Sequence, residues 1–152
     1  LERYAAACAD VVADDGLCEG RPNEHGYHEI QVVAPKFQPE SFDVEWKSLP
    51  AILMYEILNF PYQADLAERE VSGAFEYAAT PPAFVEGFEE RQLQYAKLGL
   101  SALNLAERLR AYAGLPARER SENDMAEYLK RHKSDIETDR QDRLKRYVQT
   151  DC

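Results

Sequence analysis

Several residues and patterns that fix a protein's chemistry are scarce in this chain or missing from it. There are three cysteines, Cys8, Cys18 and Cys152, an odd number with no C-x-x-C spacing, so a zinc ribbon or a thioredoxin-type redox pair has no basis. Cys8 and Cys18 can pair in an oxidising compartment; the expectation adopted is two reduced, partly buried thiols in a cytosolic protein. No stretch of eighteen apolar residues exists, so nothing within the chain spans a bilayer as a helix. The start carries no signal-peptide pattern. It also carries no Met: Leu1-Glu2-Arg3-Tyr4 reads as the interior of a helix, and the expectation is that a tag, a domain or a membrane anchor preceded it. No G-x-S-x-G, H-E-x-x-H or glycine-rich phosphate loop occurs, which removes the common hydrolase and nucleotide-binding signatures. A di-iron centre needs Glu-x-x-His on two facing helices, and the one histidine in a helical pattern, His132, follows Leu129 instead. Neither internal repeats at solenoid periods nor low-complexity segments are present. Positive charge is short as well. The net charge of −10 argues against nucleic acid, because phosphate binding needs a cationic footprint.

What is present is apolar residues at helical spacing. With 45% hydrophobic residues in 152, one domain can bury a core without cross-links. Leu1, Tyr4, Ala5, Cys8, Val11 and Val12 recur at threes and fours and predict a helix to about Asp15, stopped by Gly16. Residues 17–47 hold Gly20, Pro22, Gly26, Pro35 and Pro39 and predict a long irregular surface connection, with a short extended piece near His28 to Val33. Trp46 should pin its end to the body. A helix over 49–60, with Pro50 in its first turn, is apolar on nearly every side, and such a helix is expected to be covered on most of its surface. Pro61 ends or kinks it, and a second helix covers 62–79. Thr80 and Pro81 read as N-cap and first residue of the longest helix, 82–113, which Gly114-Leu115-Pro116 terminates. A last helix over 121–148 starts at a capping-box-like Ser121 and Asp124. Its seam of Met125, Leu129, His132, Ile136, Leu144 and Tyr147 is narrow, so its first part should pack on the body, while beyond Asp139 it meets a second copy or nothing. Leu53, Leu58, Phe75, Phe88, Leu98, Leu105 and Leu109 are the candidate core. Charge is split: residues 1–90 carry 18 acidic and 5 basic side chains and residues 91–152 carry 10 and 13, which suggests that the two parts face each other.

Candidates for chemistry are thin. His25 and His28, flanked by Glu24 and Glu29, have metal-ligand spacing and need two more ligands, of which Cys18 is the obvious source. Glu86, Glu89 and Glu90 are a carboxylate cluster that reads as a solvated helix face. His132 reads as a seam histidine. Seven of the nine tyrosines fall on helix stripes, Tyr55 and Tyr62 among them, where an apolar body with a polar tip suits core boundaries and protein-binding faces.

The expectation is therefore an all-α protein: one helical domain over residues 1–152, a bundle of about five helices around one long helix, with the 17–47 connection and a charged arm over 121–148. The function expected is a non-catalytic scaffold or protein-interaction domain, with a protein partner or self-association, no nucleic acid, no cofactor and no catalytic residues. It is expected in the cytoplasm, free or as the soluble part of a larger or membrane-tethered protein. The alternative is a sensor domain that binds a metal or small ligand through the 17–47 loop, with His25 and His28 as its metal candidates.

Overall fold

The computed structural model describes residues 1–121 and 124–150 and is all-α. Its α-helices are α1 (Glu2–Ala13), α2 (Ala51–Gly73), α3 (Val85–Tyr112) and α4 (Met125–Thr150); no strand occurs among the described residues. Four helices replace the expected five, because Pro61 neither ends nor separates α2. Proline in a helix interior forfeits a backbone bond and costs about 3 kcal/mol. Here Leu53, Ile57 and Phe60 before it and Ala67 and Val71 after it are all buried, so one packed face on both sides of the proline outweighs the local cost. Pro50 sits one residue before the first helical position and accepts from the Met54 N–H at 2.9 Å.

α3 begins later than expected. Residues that precede proline are driven out of the α region, so neither Thr80 nor Pro81 can open a helix ahead of Pro82. A turn intervenes, in which the Phe84 N–H donates to the Thr80 carbonyl at 2.9 Å and Phe84 takes a left-handed φ of 50° before Val85 starts the helix. The helix then runs 28 residues without a break at Gly99, about 42 Å at 1.5 Å per residue. It closes as its sequence predicts. Gly114 has φ 67°, and the Leu115 N–H donates to the Arg110 carbonyl at 2.9 Å, the bond that caps a helix at a glycine.

α3 is the axis of the fold. α1, α2 and α4 each run antiparallel to it: Cys8 and Leu129 meet it at Gly99, Asp14 pairs with Arg91, Glu56 with Arg108, and Arg140 with Glu90. A Cβ at Gly99 would sit 2.7 Å from Leu129 Cδ1 and 3.1 Å from Cys8 Cβ, so the missing side chain lets three helices close on one point. Of the candidate core, Leu53, Phe88, Leu98 and Leu105 are buried, Phe75 and Leu109 are partly buried, and Leu58 is exposed. No described helix is long and apolar enough to cross a membrane.

The 17–47 connection is irregular, as expected, but tied down along its length. His28 N–H donates to the Pro82 carbonyl and Glu29 N–H to the Gly16 carbonyl, both at 2.9 Å. Phe37 stacks edge-on with Tyr4 and Phe60, ring centroids 5.9 and 5.5 Å away. Trp46 is half-buried against the core, and the Tyr112 hydroxyl donates to the Ser48 carbonyl just beyond it.

α4 starts at Met125, with the Asp124 carbonyl accepting from Tyr128 N–H; the expected start at Ser121 lies in part outside the described residues. Leu129 and Ile136 are buried as the seam predicts, and Leu144 and Tyr147 are exposed. Beyond Asp139 the helix does not run free of the body. Arg140 and Arg143 reach Glu90 and Glu89 on α3, at 2.7 and 2.6 Å.

Candidate functional site

The most buried polar group is a structural clasp. Asp14 follows the last turn of α1, and its side chain and that of Arg91 on α3 are 1% and 3% exposed. The Asp14 carboxylate accepts from the N–H groups of Gly16, Gln31 and Val32 and from Arg91 Nη1 at 2.9–3.0 Å. Arg91 also donates to the Val32 carbonyl, and Gln92 Nε2 to the Asp14 carbonyl. Burial pushes the Asp14 pKa up, but the three N–H bonds and the guanidinium outweigh it and hold the carboxyl below its ordinary value. These bonds go to the protein's own backbone and to Arg91, so the pair locks the connection to α1 and α3.

The sequence-derived candidates do not assemble. His28 Nδ1 bonds the Asp15 carbonyl at 2.9 Å and its ring packs against Phe88, whereas His25 is exposed beside Glu24. Among the described residues no group of three or more His, Cys, Asp or Glu side chains is placed to hold a metal ion. Cys8 and Cys18 are free, Cys8 buried and Cys18 exposed, and burial pushes the Cys8 thiol up to about 12, leaving it protonated and unreactive at neutral pH. Glu89 and Glu90 are not a solvated face, since α4 covers them through Arg140 and Arg143. Burial works to raise the Glu90 pKa, and the bonds from Gln94 and Arg140 lower it on balance. His132 lies against the Tyr128 ring, centroids 4.4 Å apart.

Two of the remaining surfaces are largely apolar. The first is the outer face of α2. At 100° per residue, Leu53, Ile57, Phe60, Ala67 and Val71 share the side that packs on α3, and Ile52, Tyr55, Leu58, Tyr62 and Leu66 share the opposite side. Ile52 is 71% exposed, Tyr55 65%, Tyr62 54% and Leu58 42%. Between Ala51 and Leu66 the only other member of this face is Asn59, so the stripe carries no charge over four turns. Beside it a shallow groove of about 450 Å³ runs between α2 and α3, lined by Tyr55, Asn59, Gln63, Ser101 and Asn104 among others. The sequence shows a helix apolar all round and predicts a cover on most of it; the structure supplies the cover on one side only.

The second surface is a groove of about 500 Å³ at the far end of the bundle. Phe37, Phe42, Val44, Trp46 and Leu49 of the connection form one wall, and Ile57, Ala106 and Leu109 form the other. Its polar edge is the Glu2–Arg110 pair at 2.7 Å. The Arg110 bond, the largest cause, holds the Glu2 carboxyl below its ordinary value. No spacing rule marks this groove in the sequence, since its walls come from three separate segments. No family model, curated protein or solved structure matches the chain.

Proposed function

We propose that this chain is a protein-interaction domain that docks through the outer face of α2. The observation that carries the reading is the uncharged stripe Ile52, Tyr55, Leu58, Tyr62 and Leu66, apolar and exposed on a helix whose other side is already buried. Large contiguous apolar patches are rare on monomers, and two tyrosines at their centre are typical anchors of an interface. The closed polar networks support the same reading, because Asp14, Arg91, Glu89 and Glu90 are spent on holding the fold. A photoreactive benzophenone side chain at position 55, in the cells that make the protein, is expected to give protein adducts. The same group at the exposed Asp135 position on α4 is expected to give none. Absence of adducts from position 55 overturns the reading.

A second reading rests on the 500 Å³ groove, which falls in the size range of small-molecule sites and has the apolar lining they share. It takes an apolar ligand bound largely through the 37–49 segment. Trp46, the one tryptophan, lines the groove and reports on it directly. Titration with a long-chain fatty acid should shift its emission saturably in the parent and not in Leu49→Glu; a linear, unsaturable response removes this reading.

A further inference from the structure

We infer that the occupant of the α2 stripe is a second copy of this chain, docked antiparallel about a two-fold axis near Asn59. The inference rests on the interaction reading and names its partner. A two-fold interface uses one patch twice, so the patch must be complementary to its own reversed image. The stripe has that property. Counted outward from Asn59, an aromatic residue stands on each side at Tyr55 and Tyr62, and an aliphatic one beyond each at Ile52 and Leu66. Reversing α2 so that Tyr55 faces Tyr62 of the second copy exchanges Ile52 with Leu66 to within one position and brings Leu58 to Asn59.

Charge selects the direction. In that register Glu56 falls opposite Pro61 of the second copy and Asp65 opposite Ile52, while Glu68, Arg69 and Glu70 lie beyond the start of the second copy's α2 at Ala51. No like charges meet along the paired helices. A parallel arrangement brings Asp65, Arg69 and Glu70, which flank the stripe, each close to its own copy, which is destabilising; Glu56 and Glu68 are turned toward Arg108 and Tyr95 of α3 and take no part. Asn59 is the one polar residue on the stripe and lies beside the axis, where two carboxamides can bond each other; a single polar residue in an apolar helix seam fixes register and partner number at some cost in stability.

Size sets the strength. The stripe exposes on the order of 500 Å² per copy, and a dimer would bury on the order of 1,000 Å² in total, the lower edge of specific interfaces. The expected dimer is therefore reversible and concentration-dependent, with a dissociation constant on the order of micromolar.

Sedimentation velocity of the whole chain from about 1 to 500 μM covers that range. Monomer should give way to dimer. Tyr55→Lys and Tyr62→Glu, both on exposed positions, should each leave the thermal midpoint nearly unchanged and weaken the dimer at least about tenfold, since each change counts twice. Combining the two in one chain sets an ammonium against a carboxylate across the axis and should restore most of the loss. A monomer at every concentration overturns the inference, and so does a dimer indifferent to either single change, or one that the combined change weakens further. The crosslinking experiment separates the two levels. An adduct of twice the chain mass supports the second copy. Adducts only to other proteins leave the interaction reading standing and overturn this one, and no adduct overturns both.

Discussion

The tightest constraints lie at single residues that the periodicity does not mark. Asp14 and Arg91 are 77 positions apart, and nothing in their spacing announces a pair. Removing one partner of a buried ion pair leaves a desolvated charge, which typically costs about 3–5 kcal/mol. Arg91→Met should therefore lose about that much in urea unfolding, and Asp14→Ala should match it and also free the Gln31 and Val32 N–H groups. A loss under about 1 kcal/mol for both would show that the connection does not depend on the clasp. Gly16 carries a related constraint. Its φ is 79°, and a Cβ there would sit 2.3 Å from the Phe88 ring and 2.9 Å from His28 Cβ. Gly16→Ala combines a disfavoured backbone with a clash against the core, so it should destabilise more than Gly20→Ala, where φ is 75° and the surroundings are open. Equal thermal midpoints for the two variants would contradict this. The sequence identifies Gly16 as a helix stop, which it is within three residues, but not as the place where α3 and the connection meet.

At the scale of elements, most of the fold is legible in the sequence, and its failures have local causes. Helical spacing finds all four helices, the glycine cap of α3, the irregular connection and the buried half of α4. Pro61 misleads because propensity is local, whereas the face that holds α2 together lies on α3. Thr80-Pro81 misleads because each motif residue fits a helix start while the following Pro82 forbids it. Leu58 misleads because an all-round apolar helix reads as covered on most of its surface, and that exposed outer face is the candidate site itself. The far groove has no sequence signature, being assembled from residues up to 114 positions apart (Leu1 and Leu115). α4 offers a test of how its two halves are held. Around Leu129 and Ile136 the helix is fixed by burial, whereas near Arg140 and Arg143 it is fixed by ion pairs whose side chains are 16–42% exposed. Partly exposed pairs contribute at most about 1 kcal/mol each and weaken with salt. Amide exchange should therefore be slow over 128–137 and fast over 144–149, and Glu89→Gln with Glu90→Gln should speed the second segment alone. Leu129→Ala should cost about 2–5 kcal/mol. Uniform protection along α4 would mean that something beyond these ion pairs holds its end.

For the whole molecule, the charge split read from the sequence becomes a pattern of assembly. Among the described residues, five ion pairs between separate helical segments each join an acid from residues 1–90 to an arginine from 91–152: Glu2 with Arg110, Asp14 with Arg91, Glu56 with Arg108, Glu89 with Arg143 and Glu90 with Arg140. The acidic part supplies α1, α2 and the start of α3; the basic part supplies most of α3 and α4. Folding therefore gathers charges that would otherwise sit apart in a chain of net charge −10. This arrangement sets the response to acid. The carboxyls of Glu2, Asp14 and Glu90 are all lowered in the folded state, through Arg110, through the clasp, and through Gln94 and Arg140 against the opposing effect of burial. A group that binds its proton more weakly when folded gives up stability on protonation. The contribution of these three is complete above the ordinary carboxylate range, whose reference values are 3.8 for Asp and 4.5 for Glu, and drains away as pH falls through that range toward the lower folded values. The thermal midpoint should be flat from pH 7 to about 5.5 and fall steeply below about 4.5. Asp14→Asn removes the most buried of these carboxyls, so it should lower the midpoint at neutral pH and flatten the acid limb. If the variant's midpoint runs parallel to the parent's from pH 6 to 3, Asp14 does not titrate with unfolding, and the acid response belongs to the other carboxylates.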